Sequence, residues 1–207
     1  MTNQDFIELV VRDKKVPYDN NLLTGLLYQY FKNAIEFLEK QIDFDYAERT
    51  SLFTVLKDNY SIPFTTEKVK KIYTLFDKTH GFELYGDYDT TIFFKVFEDK
   101  PAIPKRYVVS NNTIYFSTPL KENTEYVIRY FVFTYNNPVY VDLDKTHPLI
   151  EINPQLLIST LGLFIDRYYS PSSLDSDFVK TLQVIEKATQ NQKRATTLAL
   201  RIDYPRY

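Results

Sequence analysis

The spacing of apolar residues divides the 207-residue chain into regions of different period. Up to about residue 80, apolar residues recur at intervals of three and four, which is typical of amphipathic helices. Between residues 82 and 152 the period falls to two, the spacing of β-strands, and from Pro154 to about residue 190 the helical spacing returns. This order predicts an α+β protein with N-terminal helices, a central antiparallel β-sheet of hairpins, two C-terminal helices and an extended tail.

The N-terminal region begins with two helix signals. Thr2-x-x-Asp5 resembles a capping box and predicts a helix over residues 2 to 12, although Val10-Val11 also permit a strand. The apolar face of this helix would contain Phe6, Leu9 and Val10. A longer helix is predicted from Asn20 or Asn21, either of which can serve as its N-cap. Its apolar stripe contains Leu22, Leu23, Leu26, Leu27, Tyr30, Phe31, Ala34, Ile35, Leu38 and Ile42.

Two further helices are predicted before the period changes. The first runs from about Thr50 to Asn59, and its clustered apolar residues are Leu52, Phe53, Leu56 and Tyr60. The second begins at Thr65 or Thr66 and ends at Gly81. Its apolar residues have helical spacing and are Val69, Ile72, Tyr73 and Phe76.

The central region predicts strands joined by Asn-Asn turns. Residues 90 to 97 form the first predicted strand. Asn111-Asn112 can form a type I′ turn because Asn tolerates positive φ, and the resulting hairpin pairs Val109 with Ile114 and Tyr107 with Phe116. Asn136-Asn137 predicts a second hairpin, between residues 126 to 135 and residues 139 to 143.

Both faces of the strand over residues 126 to 135 are apolar. One face carries Tyr126, Ile128, Tyr130 and Val132, and the other carries Val127, Phe131, Phe133 and Tyr135. A sheet with water on one face alternates apolar and polar residues more regularly than this. We therefore expect the second face to be covered, either by the chain's own helices or by a neighbouring molecule.

The C-terminal region predicts a helix capped by Asn153, with Pro154 in the first turn, and a last helix opened by Ser172-x-x-Asp175. Gly162 interrupts the apolar face of the first of these helices, and we expect a tight helix crossing there. The tail from Asn191 is locally basic, and Leu198, Leu200 and Ile202 alternate with other residues as in a strand. Such a strand could add to the edge of a partner's sheet or close the chain's own sheet.

A chain of about 200 residues suits one domain, because it can bury roughly 70% of its unfolded surface. We predict a single domain over residues 1–190, helical over 1–80, β-rich over 82–152 and helical over 154–190, followed by a tail over residues 191–207. The chain contains 18 Tyr and 16 Phe but no Trp. This aromatic surplus fits subunit interfaces, and it equally fits the codon drift of an AT-rich genome.

Charge and cysteine content exclude several classes of function. The net charge of −2 gives no basic footprint for direct nucleic-acid binding, and the absence of Cys excludes disulfides and thiolate sites. The first residues do not resemble a leader, and no apolar run approaches the roughly 20 residues of a membrane span. We expect a protein made and used in a cytoplasm, without a membrane partner.

No motif in the sequence predicts catalysis, a cofactor or a metal. His80 and His147 lack suitably spaced partners, and we place His80 at a helix end. Asp87 and Asp89 resemble the start of a calcium loop, but the Gly and Glu that such a loop needs are missing. Asp142 and Asp144, with Glu151, could hold a divalent cation or could end an exposed strand, and we favour the latter. No glycine-rich phosphate loop or serine nucleophile motif is present, so we expect no enzyme.

The order of elements resembles that of the portal-binding adaptor or ring proteins, which connect head and tail in tailed phages. The resemblance is carried by Arg129-Tyr130 in the long strand, the turn Ile150-x-Ile152-Asn153-Pro154, the helix from Leu156 to Tyr169, and the late helix before a free C-terminal tail. It is a resemblance of overall plan over roughly residues 20 to 190.

The resemblance implies a virion structural subunit at the head-tail junction, assembled in the host cytoplasm. Its implied partners are the portal protein, other neck or tail proteins and copies of itself in a homo-oligomeric ring, a dodecamer, with DNA only passing through the channel. The residues that we predict to contact partners are Leu198, Leu200, Arg201, Ile202, Tyr204, Tyr207, Tyr115 and Tyr135. The alternative is a non-catalytic ligand- or protein-binding module that uses Tyr85, Tyr88, Tyr107 and Tyr115.

Overall fold

The computed structural model of this chain describes residues 1–87 and 89–169. It contains 40% helix and 28% strand, with N-terminal helices, a central antiparallel sheet and C-terminal helices, which confirms the predicted α+β class. The helices are α1 (Asn3–Asp13), α2 (Asn20–Leu22), α3 (Tyr28–Gln41), α4 (Thr90–Lys95), α5 (Pro138–Val141), α6 (Pro148–Ile152) and α7 (Pro154–Tyr169). The strands are β1 (Glu48–Val55), β2 (Ser61–Pro63), β3 (Lys68–Asp77), β4 (Phe82–Glu83), β5 (Tyr85–Asp87), β6 (Arg106–Ser110), β7 (Thr113–Phe116) and β8 (Thr124–Phe133).

The chain forms two compact units. The helical unit comprises Met1–Ile42 and the residues from Thr134 onward, and the sheet unit comprises Asp43–Phe133. The single domain over residues 1–190 stays a prediction, as does the tail over 191–207. The last predicted helix and the tail lie outside the described residues.

The helical unit confirms the predicted caps at Thr2 and Asn153, but not the one at Asn20 or Asn21. Thr2 and Asp5 form a capping box at the start of α1, and Asn153 accepts a hydrogen bond from the Leu156 backbone N–H at 3.3 Å at the start of α7. Asp19, one residue before the predicted cap, caps α2, and a π-helical turn over Leu23–Leu27 joins α2 to α3. Leu9, which the spacing assigns to the apolar face of α1 with Phe6 and Val10, is 48% exposed. The buried apolar residues of α1 are Phe6, Ile7, Val10 and Val11.

Gly162 in α7 makes room for a long side chain. A Cβ at this position would lie 2.9 Å from Cε of Lys14, the residue that ends α1. Lys14 extends past the glycine to an ion pair with Asp166, at 2.5 Å. The close neighbour of Gly162 is therefore a lysine side chain.

The sheet unit contains two four-stranded sheets. Their strand orders are β1-β8-β3-β4 and β2-β7-β6-β5, and all pairs are antiparallel except the parallel pair of β5 with β6. β8 lies between β1 and β3, and its Tyr126 is fully buried and stacks on Phe116 of β7 at 4.8 Å. The core contains Val55, Ile62, Leu75, Leu84, Tyr107, Ile114, Phe116, Leu120, Tyr126, Ile128, Tyr130 and Val132.

The predicted helix from Thr65 or Thr66 to Gly81 is wrong, because residues 68–77 form β3. The ladder of β3 against β8 shifts register twice, between Val69 and Lys71 and between Ile72 and Thr74. Each shift adds one residue on β3, as in a β-bulge. Val69, Ile72 and Leu75 therefore lie opposite β8 residues that are two apart, although they are three apart themselves. The bulges thus give a strand the spacing that is typical of a helix.

The predicted helix from Thr50 to Asn59 is also wrong, because residues 48–55 form β1. Side chains alternate along this strand, so Leu52 is 56% exposed while its neighbour Phe53 packs against the core. Leu56 and Tyr60, which we assigned to the same helical face, lie beyond the strand and are also exposed. Pairing with β8 over eight residues decides the conformation of this segment.

Two predicted strands are short helices. Residues 90–95 form α4 because Asp89 accepts hydrogen bonds from the Thr91 and Ile92 backbone N–H groups. Asn137 likewise caps α5, with Pro138 in its first turn, so the hairpin predicted at Asn136-Asn137 is wrong. Proline supplies no N–H to a sheet and favours the first turn of a helix, and this is the same signal that identifies α7.

The hairpin at Asn111-Asn112 is confirmed with its predicted register. Val109 pairs with Ile114 and Tyr107 pairs with Phe116, and both turn residues have positive φ. The Asn112 side chain also binds the loop before β3. Its amide donates to the carbonyl oxygens of Phe64 at 2.5 Å and Glu67 at 2.7 Å, and its oxygen accepts from the Val69 N–H at 2.7 Å.

The outer face of β8 is covered in part by neighbouring strands. Lys71 and Lys68 of β3 lie over the rings of Phe131 and Phe133, at 5.4 and 5.5 Å from the centroids. Phe131 is consequently only 8% exposed. Near the middle of the sheet, Val127 lies opposite Leu52 and Phe76, both of which are substantially exposed.

None of the helices within residues 1–87 and 89–169 is both long and apolar enough to span a membrane.

Asn112→Ala should destabilise the sheet unit by about 2 to 4 kcal/mol, because it removes three hydrogen bonds and places alanine at positive φ. The free energy of unfolding in urea measures this loss. Asn111→Ala is the matched control, since Asn111 also has positive φ (49°) but is exposed at the turn. A loss of about 1 kcal/mol is expected there. Equal losses in the two variants would contradict a bridging role for the Asn112 side chain.

Candidate interaction surface

Four aromatic side chains form a partly exposed cluster in the sheet unit. Phe94 contacts Tyr115 edge-to-face at 5.4 Å between ring centroids, and Tyr115 lies 6.2 Å from Tyr60. Tyr60 in turn contacts Phe97 edge-to-face at 5.6 Å. We call Tyr60, Phe94, Phe97 and Tyr115 the aromatic cluster. Such ring pairs each add about 0.5–1.5 kcal/mol beyond area burial.

The helix α4 presents apolar side chains to solvent. Phe93 is buried and anchors the helix, whereas Ile92, Phe94 and Val96 are 55%, 46% and 50% exposed. Phe93 is the one buried residue of this six-residue helix. Phe94 adjoins Tyr115 and so extends the exposed apolar area of the aromatic cluster, and exposed apolar area of this kind marks interaction sites in soluble proteins.

A groove of about 400 Å³ is lined in part by Phe93. Its lining residues come from α4, the loop that follows it, and the ends of β6 and β7: Phe93, Val96, Glu98, Ala102, Ile103, Lys105, Arg106, Ser117 and Thr118. The loop is held by backbone bonds from Glu98 N to Ser117 O at 3.1 Å and from Ala102 N to Pro119 O at 2.9 Å. α4 therefore contributes both to the groove and to the aromatic cluster.

The charges around the groove are largely compensated. Arg106 donates two hydrogen bonds to Asp87, at 2.8 and 2.5 Å, and this contact raises the pKa of the guanidinium. Glu98 and Lys105 have opposite charges and both line the groove. Without a dominant charge, the surface favours an apolar or aromatic contact over an ionic one.

The predicted contact residues lie in different places. Tyr115 belongs to the aromatic cluster, whereas Tyr135 belongs to the helical unit and is only 7% exposed. Leu198, Leu200, Arg201, Ile202, Tyr204 and Tyr207 lie outside the described residues.

The tyrosines of the alternative binding module are similarly dispersed. Tyr85 is 77% exposed, Tyr107 is buried in the core and Tyr88 lies outside the described residues. Sequence reasoning missed Tyr60, Phe94 and Phe97 because they were assigned to a helix and a strand that do not form. The available signal was Asp89, a good N-cap three residues before Ile92.

His80 lies in a turn after β3, which corrects its predicted place at a helix end. Its Nδ1 is 2.8 Å from Asp77 Oδ2 and its Nε2 is 3.2 Å from Glu122 Oε1. Gly81, with φ of 78°, allows the tight turn that brings His80 back to Asp77. The hydrogen bond to Asp77, joined by Glu122, raises the pKa of the imidazole.

His147 belongs to a buried polar chain in the helical unit. Its Nδ1 accepts from the Leu149 N–H at 3.2 Å, so Nε2 carries the proton and donates to Thr134 Oγ1 at 3.0 Å. The Thr134 hydroxyl donates to Glu39 Oε1 at 2.5 Å, and the other Glu39 oxygen accepts from the Thr134 N–H at 2.9 Å. Burial lowers the pKa of His147 to about 3, so the imidazole is neutral.

This chain has the order imidazole, hydroxyl, carboxylate, but His147, Thr134 and Glu39 are each at most 1% exposed. A substrate cannot reach groups buried to this extent, so the arrangement fixes local structure. Asn3 extends it, since its oxygen accepts from the His147 N–H at 2.8 Å and its amide donates to two backbone carbonyls. The network thereby satisfies polar groups that would otherwise be buried without partners.

The candidate cation ligands have other partners. Asp87 pairs with Arg106, and Asp89 caps α4. Asp144 is exposed beside Lys145, at 3.1 Å. Within residues 1–87 and 89–169, no group of three or more His, Asp or Glu side chains is placed to hold a metal ion.

The sequence matches no known protein-family model and no curated protein. A function for this chain is therefore inferred from its own residues.

The two histidines should titrate on opposite sides of the usual imidazole pKa of 6.5. We expect the His80 imidazole to titrate above its usual pKa of 6.5, and the His147 imidazole near pH 3. Because the chain has only these two histidines, imidazole NMR shifts measured against pH give both values directly. A His147 resonance that titrates near pH 6.5 would contradict the buried network.

The histidine contributions to the stability of the two units should also change with pH in opposite directions. The pKa of His80 is raised in the folded state, so His80 contributes fully to the stability of the sheet unit below about pH 6.5. This contribution is lost as pH rises through the folded pKa of His80. The pKa of His147 is lowered in the folded state, so the neutral imidazole contributes fully to the stability of the helical unit above about pH 6.5. This contribution is lost as pH falls toward 3. Urea unfolding between pH 4 and 9, with His80→Gln as control, measures the first effect. An unchanged pH profile in His80→Gln would contradict it.

Proposed function

We propose that this protein is a structural subunit of a larger assembly and that the apolar surface of the sheet unit is its contact surface. The observation that carries the proposal is the exposure of Ile92, Phe94 and Val96 beside the aromatic cluster. Aromatic residues are enriched at protein interfaces, where one side of a ring packs and the other remains accessible until the partner arrives.

Burying this surface would contribute a few kcal/mol, which supports weak association between individual subunits. Fully burying an apolar side chain contributes about 1.5–3 kcal/mol relative to leaving it exposed. Ile92, Phe94 and Val96 are each about half exposed. Their burial would therefore contribute roughly 1 kcal/mol each, and the aromatic cluster would add to this. Such a contact is suited to an assembly in which many copies each make a weak contact.

The assembly that we propose is the head-to-tail connector of a tailed phage. The described residues retain the long strand β8 and the helix α7 that carry the resemblance to connector proteins. Two N-terminal helices of the predicted plan are strands, so the resemblance covers less of the chain than the sequence predicted. The partners in this proposal are the portal protein, other neck or tail proteins and further copies in a dodecameric ring.

The net charge of −2 is compatible with a ring through which DNA passes. A strongly basic lining would bind the phosphate backbone and slow its movement, whereas a near-neutral or acidic lining would not. In this proposal the protein acts in the virion without catalysis, after assembly in the host cytoplasm.

A second candidate function is a ligand-binding module. The groove of about 400 Å³ beside α4 favours it, because small-molecule sites are concave and combine apolar side chains, here Phe93, Val96 and Ile103, with polar ones. Its closeness to the aromatic cluster would suit a ligand with a flat apolar face. This function requires a monomer that binds the ligand without assembling.

Mass photometry and sedimentation velocity of the full chain, alone and mixed with the portal protein of the same genome, test the proposal. We expect oligomers or a complex with the portal ring. Phe94→Ser should weaken this association about tenfold, since a loss of roughly 1.4 kcal/mol corresponds to a factor of ten. Leu9→Ser is the matched control, because Leu9 is similarly exposed (48%) but lies on α1. A chain that stays monomeric in both conditions would contradict the proposal.

Deleting residues 192–207 should leave the circular dichroism spectrum and the melting temperature nearly unchanged, because a tail that serves a partner adds little to the chain's own core. The comparison is with the full chain at equal concentration. A large fall in melting temperature would show that Leu198, Leu200 and Ile202 belong to that core.

A further inference from the structure

The strand β1 is the longest sheet edge among the described residues. It ends the order β1-β8-β3-β4, and it is eight residues long, whereas the edge strands β4, β2 and β5 contain two or three residues. It pairs with β8 one residue to one, without a bulge, from Glu48 to Val55. An edge of this length and regularity can accept another strand.

The sequence of β1 lacks the features that protect exposed edges. Natural edge strands are protected by charged residues, proline or bulges, which discourage pairing with other chains. From Thr50 to Val55, six successive residues contain no charge, no proline and no glycine. Glu48 and Arg49 provide charges only at the start of the strand.

The C-terminal tail contains a segment of matching character. Residues 195–200 are also six uncharged residues, flanked by Lys193-Arg194 and by Arg201. Leu198, Leu200 and Ile202 alternate with small or polar residues, which is the pattern of a strand with one apolar face. These residues lie outside the described part of the chain.

We propose that residues 195–202 of a second copy add to the edge of β1 as an antiparallel strand. This inference rests on the proposed function, and it adds a second contact between neighbouring subunits to the apolar surface beside α4. A ring needs a heterologous contact, in which two different surfaces of one chain are complementary. β1 and the tail are such a pair.

Opposite charges and the alternation of apolar and polar residues favour one register between residues 195–202 and β1. Placing Arg201 opposite Glu48 puts Ala199 opposite Thr50 and Thr197 opposite Leu52. The exposed residues of β1 are Thr50, Leu52 and Thr54, so these tail residues would face solvent. Leu198 would then lie opposite Ser51, on the same side as the core residue Phe53. The apolar face of the tail thereby points toward the core, and its polar face toward water.

The length of chain after α7 is sufficient to reach a neighbour. α7 ends at Tyr169. The roughly 25 residues between it and residue 195 can span at most about 80–90 Å when extended. A compact domain of about 200 residues is typically about half that length across, so a tail can cross from one copy to the next.

Disulfide trapping between different chains tests the proposal directly, because the native chain contains no cysteine. Thr50→Cys and Ala199→Cys are made in separate chains, mixed and oxidised. We expect a covalent heterodimer in the mixture. The control pairs Ala199→Cys with Glu83→Cys on the other edge strand, β4, and should give none. A chain carrying both Thr50→Cys and Ala199→Cys that crosslinks only to itself would overturn the proposal, since the tail would then close its own sheet.

A complementation experiment gives an independent test. Along β1, the backbone N–H groups of alternate residues point toward β8 and toward the open edge of the sheet. Proline has no N–H, so one of the two variants Ser51→Pro and Leu52→Pro removes an N–H from the open edge and leaves the pairing with β8 intact. The variant that retains the melting temperature of the full chain is the edge variant. Mixed with the chain lacking residues 192–207, it should give one-to-one dimers and nothing larger, because only one edge and one tail remain.

The outcomes separate this inference from the proposed function. If the chain lacking residues 192–207 assembles as the full chain does, the tail contact is overturned and the assembly function stands. If the full chain neither assembles nor binds the portal ring, the assembly function itself fails. One-to-one dimers in the mixture together with the Thr50–Ala199 crosslink support both.

Discussion

The sheet unit depends on the need of β8 for hydrogen-bond partners along both edges. Its ten residues include Tyr126, Ile128, Tyr130 and Val132, whose burial leaves the backbone N–H and C=O groups without access to water. Such groups must be paired inside the protein. β1 satisfies one edge and β3 the other, each over eight paired positions. β8 is the last strand of the sheet unit along the sequence, and the sheet is complete only when this strand lies between its two neighbours.

Features that depend on a few adjacent residues could be predicted from the sequence. The capping box at Thr2, the cap at Asn153 and the hairpin at Asn111-Asn112 are all present, because each is determined by side chains that bond within a few positions. Features that depend on pairing between residues far apart in the sequence could not be predicted. β1 and β3 have apolar spacings that also fit helices, and only their pairing with β8 makes them strands. α5 is a different case, because Pro138 was a local signal that outweighs the β-branched residues after it.

The candidate surface was harder to predict than the fold. Tyr60, Phe94, Phe97 and Tyr115 come from three separate parts of the chain and meet only in the folded sheet unit. A single sequence contains no spacing rule for such a cluster. The polar network of Glu39, Thr134 and His147 is similar, because its members come from a helix, the residues after a strand and the cap of another helix. In both cases long-range packing creates the site, and composition indicates only that aromatic residues are plentiful.

The bulge at Lys70 has a further effect on the sheet unit. Consecutive residues of a regular strand point to opposite faces, so two neighbouring lysines would normally be separated by the sheet. Because Lys70 is the extra residue of the bulge, its ammonium and that of Lys71 both reach the carboxylate of Asp43, with Lys70 at 2.7 Å. Asp43 is the first residue of the sheet unit. The bulge therefore allows two lysines of β3 to bind the same carboxylate, and these ion pairs hold the first residue of the unit against one of its central strands.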